Sequence, residues 1–133
     1  MASIVVDTHT VIWYLLASSK ISSAATAVLD EAIMAGDAVY VPSISVVEVV
    51  YLVEKGKLPE VAFERLTNAL DDPYSRFALV PLDLDIVRTI RKIPKEVIPD
   101  LPDRIITATA LHLDLPLVTR NLRIHSTPVR TIW

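Results

Sequence analysis

The sequence predicts an α/β fold: one domain built on a central, mainly parallel sheet of four to five strands, with helices on both faces. Three observations carry this. Short runs rich in β-branched residues alternate with longer apolar segments free of internal proline. Glycine and proline punctuate the boundaries between them. The 133 residues are 52% hydrophobic, enough for one core and consistent with a single domain over 1–133.

The elements follow in order. Ile4 to Val6 reads as a first core strand, followed by a helix from about Thr10 to Ala17. Ser22 or Ser23 can cap a second helix, which runs to about Ala35 before Gly36 ends it. Val39 to Val41 forms the second strand, broken by Pro42-Ser43, and a helix then spans about Ser45 to Lys55, closed by Gly56. Pro59 opens another helix through Leu70, and Asp71-Asp72-Pro73 is a turn. Phe77 to Val80 is the third strand, and Asp83 or Asp85 caps a helix to about Ile93. Pro94 to Pro102 reads as a proline-rich loop, after which Asp103 starts a helix through Leu113. Pro116 to Thr119 is the fourth strand, and Val129 to Ile132 is a candidate fifth.

Composition removes several classes of function. With no cysteine, disulfides and thiolate metal centres are excluded. The two glycines, Gly36 and Gly56, belong to neither a GxxxxGK[ST] nor a GxGxxG pattern, which argues against phosphate-cradling nucleotide enzymes. A net charge of -3 does not suit a general nucleic-acid coat, although it permits a metal-dependent enzyme with local basic contacts. No apolar run predicts a membrane span and the N-terminus lacks the pattern of a secretory signal, so a cytoplasmic protein is expected. The high apolar content also points to a homodimer.

Four positions form the candidate site. Asp7 ends the first strand, where open parallel sheets bind ligands, yet an Asp there can also simply cap the helix. Glu48 lies within SISVVEVVYLVEKG among Val46, Val47, Val49 and Val50, where an unpaired buried carboxylate is costly; otherwise it occupies the helix's one wet stripe. Asp103 opens LPDRIITATAL and again is either a cap or a ligand, with Asp100 as the looser alternative. Asn121 follows the fourth strand in LVTRN. Two carboxylates about 4 Å apart repel by roughly 4 kcal/mol at an effective dielectric of 20, so a cluster of three calls for a cation. Hard oxygen donors select Mg²⁺ or Mn²⁺, ions that bind phosphates and acidify water, which suits phosphodiester hydrolysis.

With these residues in place, the chain resembles the PIN-domain ribonucleases, and among them the VapC-like toxins of type II toxin–antitoxin pairs. IVVDTHTVIW, VPSISVVEVVYLVEKGKL, LPDRIITATALHLDLPLVTRN and TPVRTIW carry the resemblance in order along the chain. It implies a compact α/β/α sandwich and a Mg²⁺- or Mn²⁺-dependent endoribonuclease, with the family's acids falling on Asp7, Glu48 and Asp103. The usual fourth acid is Asn121 here, whose neutral carbonyl would orient water or a metal with less charge, so a second metal site would be weakened. Thr8 and Thr119 resemble neighbouring hydroxyls that steady the ligands. The resemblance further implies an RNA substrate, a cognate VapB-like antitoxin and a homodimer.

Arg104, Arg120 and Arg123 flank the acids and are candidate RNA-phosphate contacts, with solvated or salt-bridged arginines as the plainer reading. His9 suits packing or hydrogen bonding better than a Mg²⁺ site, and Trp13, Tyr14 and Tyr51 read as core or dimer contacts rather than base-stacking groups. Two other α/β folds offer an acidic pocket. A dehalogenase-like phosphatase places an Asp after the first strand but wants DxDxT where this chain has DTHT, and a response-regulator receiver wants an Asp after its third strand, where Asp83 stands, and a late Lys that is missing. The competing non-enzyme reading is an impaired PIN-like binding or scaffold subunit, favoured only by Asn121.

Overall fold

The structure, a computed structural model, describes residues 3–133. Five parallel strands form one sheet in the order β3-β2-β1-β4-β5. They are β1 Ile4–Val6, β2 Val39–Pro42, β3 Phe77–Val80, β4 Leu117–Val118 and β5 Thr131–Ile132. Six helices connect them: α1 Thr8–Leu15, α2 Ser23–Ala35, α3 Ser43–Glu54, α4 Glu60–Asp71, α5 Leu84–Ile90 and α6 Leu101–Leu113, with a short 3₁₀ helix at Leu122–Ser126.

The alternation of side chains along β1 explains the layers. Ile4 and Val6 face a core shared with Val39, Val41 and Val118, to which Ile12, Leu29, Val49 and Leu66 of α1 to α4 contribute. Val5 faces the opposite core with Leu117, Ile86 of α5 and Ile106 of α6. Both faces of β1 are therefore buried, which is why its sequence is continuously apolar rather than alternating. No helix among the described residues is long and apolar enough to cross a membrane.

Several boundaries differ from the sequence reading. Helix α1 begins at Thr8, because Asp7 caps it directly as it leaves β1. Pro42 does not break the chain but ends β2 and serves as N-cap of α3, where its missing N–H costs nothing. Helix α5 stops at Ile90, three residues early; Pro94 disfavours helical geometry at Ile93. Asp103 does not start α6. Asp100 is the N-cap, accepting from the Asp103 backbone N–H at 3.1 Å, and Pro102 falls within the first turn, where proline is tolerated.

The strand order sets the position of the site. The chain moves outward from β1 through β2 to β3, then crosses back to place β4 on the other side of β1. Connections on either side of the β1–β4 pair diverge, leaving a crevice beyond their carboxyl ends. Asp7 and Thr119 are the first residues past those ends.

Candidate active site

Strand register brings Asp7 and Thr119 together. Val6 pairs with Val118, and the Asp7 N–H donates to the Val118 carbonyl at 3.3 Å. Thr119 Oγ1 then donates to Asp7 Oδ2 at 2.5 Å, while the Thr10 N–H donates to Asp7 Oδ1 at 3.0 Å. Asp7 is thus a helix cap and a member of the site at once; the two readings of it were never exclusive. Thr119 is fully buried, so its hydroxyl fixes the carboxylate against the sheet edge.

Glu48 sits in the second turn of α3, half-buried, and accepts a hydrogen bond from Thr8 Oγ1 at 2.6 Å. Thr8 follows Asp7 directly, so α1 and α3 are tied together at the site. Asp103 lies in the first turn of α6, and Asn121 Nδ2 donates to its Oδ2 at 3.2 Å. The three acids come from segments far apart in the chain, yet all line one cavity of about 440 Å³, joined by Asp100 and Asn121.

The electrostatics of this cavity are one-sided. Burial, and then the charges of Asp100, Glu48 and Asp7, push the Asp103 carboxyl up to about 6. Burial also raises Glu48, with Asp100 and Asp7 adding to the effect and the Thr8 hydrogen bond and His9 opposing it. Arg120 lines the cavity but makes no ion pair with these groups: among the described residues the one ion pair is Arg88–Asp85, between exposed side chains of α5. Thr10 Oγ1, also at the cavity, is buried without a hydrogen-bond partner.

Among the described residues no three acidic or imidazole side chains are drawn together as a metal cluster. The acids surround a common space, and mutual repulsion favours that separation. Their chemistry nonetheless fits a hard divalent cation. The donors are carboxylate oxygens, none of them is in an ion pair among the described residues, and the raised proton affinity of Glu48 and Asp103 would be relieved by a cation that enters.

Asn121 departs from its expected role. Its carbonyl Oδ1 accepts from the Arg123 N–H at 3.0 Å, capping the 3₁₀ helix, so the group turned toward Asp103 is the amide donor rather than the carbonyl. The reason is local: the helix start needs an acceptor and the crowded carboxylate needs a donor. Asn121→Asp would keep the cap but set a carboxylate against Asp103. Its metal-free thermal midpoint is expected to fall by about 3–8 °C at pH 7, with most of the loss recovered in Mg²⁺, as thermal melts with and without EDTA would record.

The remaining candidates separate. Arg104 turns away from the cavity, its Nε and Nη2 donating to the carbonyls of Ile93 and Ile90 at 2.8 and 3.3 Å, where it closes the end of α5. This engagement removes the basis for Arg104 as a phosphate contact. Arg123 is exposed on the 3₁₀ helix and does not line the cavity, whereas Arg120 does. Tyr14 is a packing residue: its hydroxyl donates to Asp30 at 2.5 Å, and burial with that partner pushes it up to about 12. Trp13, which the sequence places among core or dimer contacts, and His9, which it assigns to packing or hydrogen bonding, both line the cavity. The available signal was their i, i+4 spacing on the helix that Asp7 caps.

A family model described as the PIN domain matches residues 4–129. Three solved structures share the fold. VapBC2 from Rickettsia felis, bound to a DNA fragment from its promoter, matches at 17% identity and a TM-score of 0.72, covering 97% of this chain and 96% of that one. A toxin–antitoxin complex from Klebsiella pneumoniae matches at 23% and 0.66, covering 98% and 96%. FitAcB from Neisseria gonorrhoeae matches at 21% and 0.64, covering 96% and 95%. No curated protein is detectably similar to the chain in sequence.

Proposed function

This chain belongs to the PIN-domain family, and on that premise we propose that it is a metal-dependent endoribonuclease, the toxin of a VapBC-like toxin–antitoxin pair. One observation carries the reading: Asp7, Glu48 and Asp103, from three distant segments, line one cavity and form no ion pair among the described residues.

Asp7, Glu48 and Asp103 would hold Mg²⁺ or Mn²⁺, with Asp100 within the same cavity as a further acid. Such an ion, when bound, supplies Lewis acidity toward water and phosphate. The chain's own residues do the rest. Thr119 and the Thr10 N–H orient the two oxygens of Asp7, and Thr8 holds Glu48. Asn121 steadies Asp103 without adding negative charge, so the site works with fewer cationic equivalents than a four-acid version. Hydrolysis adds water across a P–O bond and needs a proton acceptor. In the metal-free site burial raises the proton affinity of Glu48 and Asp103, and a bound cation would draw on that same affinity, leaving an acid not engaged with the ion, such as Asp100, to accept the proton.

The partner is a VapB-like antitoxin, a role supported by the fold shared with toxin–antitoxin complexes. Exposed Val47 and Tyr51 on α3, with Leu84 and Val87 on α5, support a homodimer that covers apolar surface.

Cleavage mapping of total RNA tests the activity. With Mg²⁺ or Mn²⁺ the wild type is expected to cut at discrete positions; Asp7→Asn, which preserves the helix cap, should lower the rate by at least about a hundredfold. EDTA should do the same. Indistinguishable background from wild type and Asp7→Asn would favour the impaired scaffold reading that Asn121 first raised.

A further inference from the structure

Besides the acids, the cavity wall carries groups of different chemistry. His9 and Trp13 stand one turn apart on α1, their ring centroids 5.4 Å apart and their planes inclined at 46°. Trp133, at the C-terminus, meets Trp13 at 6.0 Å and 60°. The Arg120 guanidinium carbon lies 6.0 Å from the Trp13 ring centroid. Both neighbouring rings are tilted rather than stacked parallel on the indole, the Arg120 guanidinium lies over the ring, and Trp13 is only partly buried. Arg120 is exposed, is the one Lys or Arg lining this cavity, and forms no ion pair among the described residues.

A ligand using this wall needs a flat π surface for the rings and negative charge for Arg120, within reach of the acids. A nucleotide unit has both. A basic peptide segment would be drawn to the carboxylates but repelled by Arg120. A base paired in a duplex has its faces covered, whereas an unpaired base does not. We propose that His9, Trp13 and Arg120 form a nucleotide subsite that stacks an RNA base and holds its phosphate beside the acids. This inference rests on the nuclease reading and names the side chains that seat the substrate nucleotide.

The chain has two tryptophans, so Trp133→Phe leaves Trp13 as the sole indole reporter. Titrating that variant in EDTA and low salt with a short single-stranded RNA homopolymer should quench its fluorescence saturably, and the matching duplex should quench it far less. Trp13→Leu and Arg120→Gln should each weaken binding about tenfold by anisotropy, while Trp13→Phe stays within about threefold. Arg120→Gln should also reduce the slope of log affinity against log salt by about one. Should Trp13→Leu fail to fold, the quenching and the Arg120→Gln salt slope decide. Binding without quenching, with unchanged affinity in Arg120→Gln, overturns the subsite, as does quenching by a basic peptide but not by RNA. Cleavage by the wild type with KM unaltered in Arg120→Gln overturns it too and leaves the nuclease reading standing. A wild type that neither binds nor cleaves any RNA overturns both.

Discussion

Asp103→Asn is expected to make the metal-free protein more stable at pH 7 while abolishing RNA cleavage. The carboxyl of Asp103 is held at about 6, against 3.8 for an ordinary aspartate, first by burial and then by Asp100, Glu48 and Asp7. The folded state therefore binds this proton more tightly than the unfolded chain. The resulting stability is fully present below about pH 4 and is lost as pH rises through about 6. Asparagine has nearly the same shape, carries no charge and can still accept from Asn121. In EDTA the variant should melt about 3–6 °C above wild type at pH 7, with the difference shrinking toward zero at pH 4. Mg²⁺ should stabilise the wild type more than the variant and narrow the gap at pH 7. Thermal melts at four pH values, with and without the ion, measure all of this. A gap that does not change with pH would show that Asp103 ionisation carries no cost in the fold. The same substitution should cut RNA cleavage by at least about a hundredfold, since a carboxylate is replaced by a far weaker base and ligand.

Ile106→Ala should produce the largest loss of stability. Ile106 is 1% exposed and lies three residues after Asp103, on the same side of α6. It packs into the core that contains Val5 of β1 and Leu117 of β4, the two strands that flank the crevice. Truncation removes buried surface and leaves a cavity that a helix pinned against a sheet cannot readily close, costing about 2–5 kcal/mol. In a domain of this size that is a large share of the total. Urea unfolding should give a lower midpoint with an unchanged slope. Cleavage measured well below the unfolding transition should fall as well, because Asp103 rides on the helix that Ile106 anchors. Retention of both midpoint and activity would mean that α6 is held by other contacts.

Much of the fold was legible because its signals are local. Ile4-Val5-Val6 announces a strand buried on both faces, Ser22 and Gly36 mark the two ends of α2, and both caps are made as expected. Apart from the start of α1, which Asp7 sets, the boundaries that differ lie at prolines. Pro42 and Pro102 read as breaks, but proline is equally at home at a helix start, and only the surrounding path of the chain distinguishes the two uses. Trp13 was read as a packing residue because amphipathic spacing marks buried and cavity-facing aromatics alike.

The sequence by itself determined the α/β class, the alternation of strands and helices, and the identity of the acids that gather at the sheet edge. These follow from patterns spanning a few residues, where backbone preference and the burial of apolar side chains act together. Tertiary structure alone decided that Asp7 is the acid steadied by Thr119, 112 residues away, that Asn121 presents its amide rather than its carbonyl to Asp103, and that Trp13 meets the Trp133 ring and the Arg120 guanidinium. Each depends on the register of β1 against β4 or on the path of the chain leaving β4. Such partners are set by packing of the whole sheet, and no short stretch of chain contains the information.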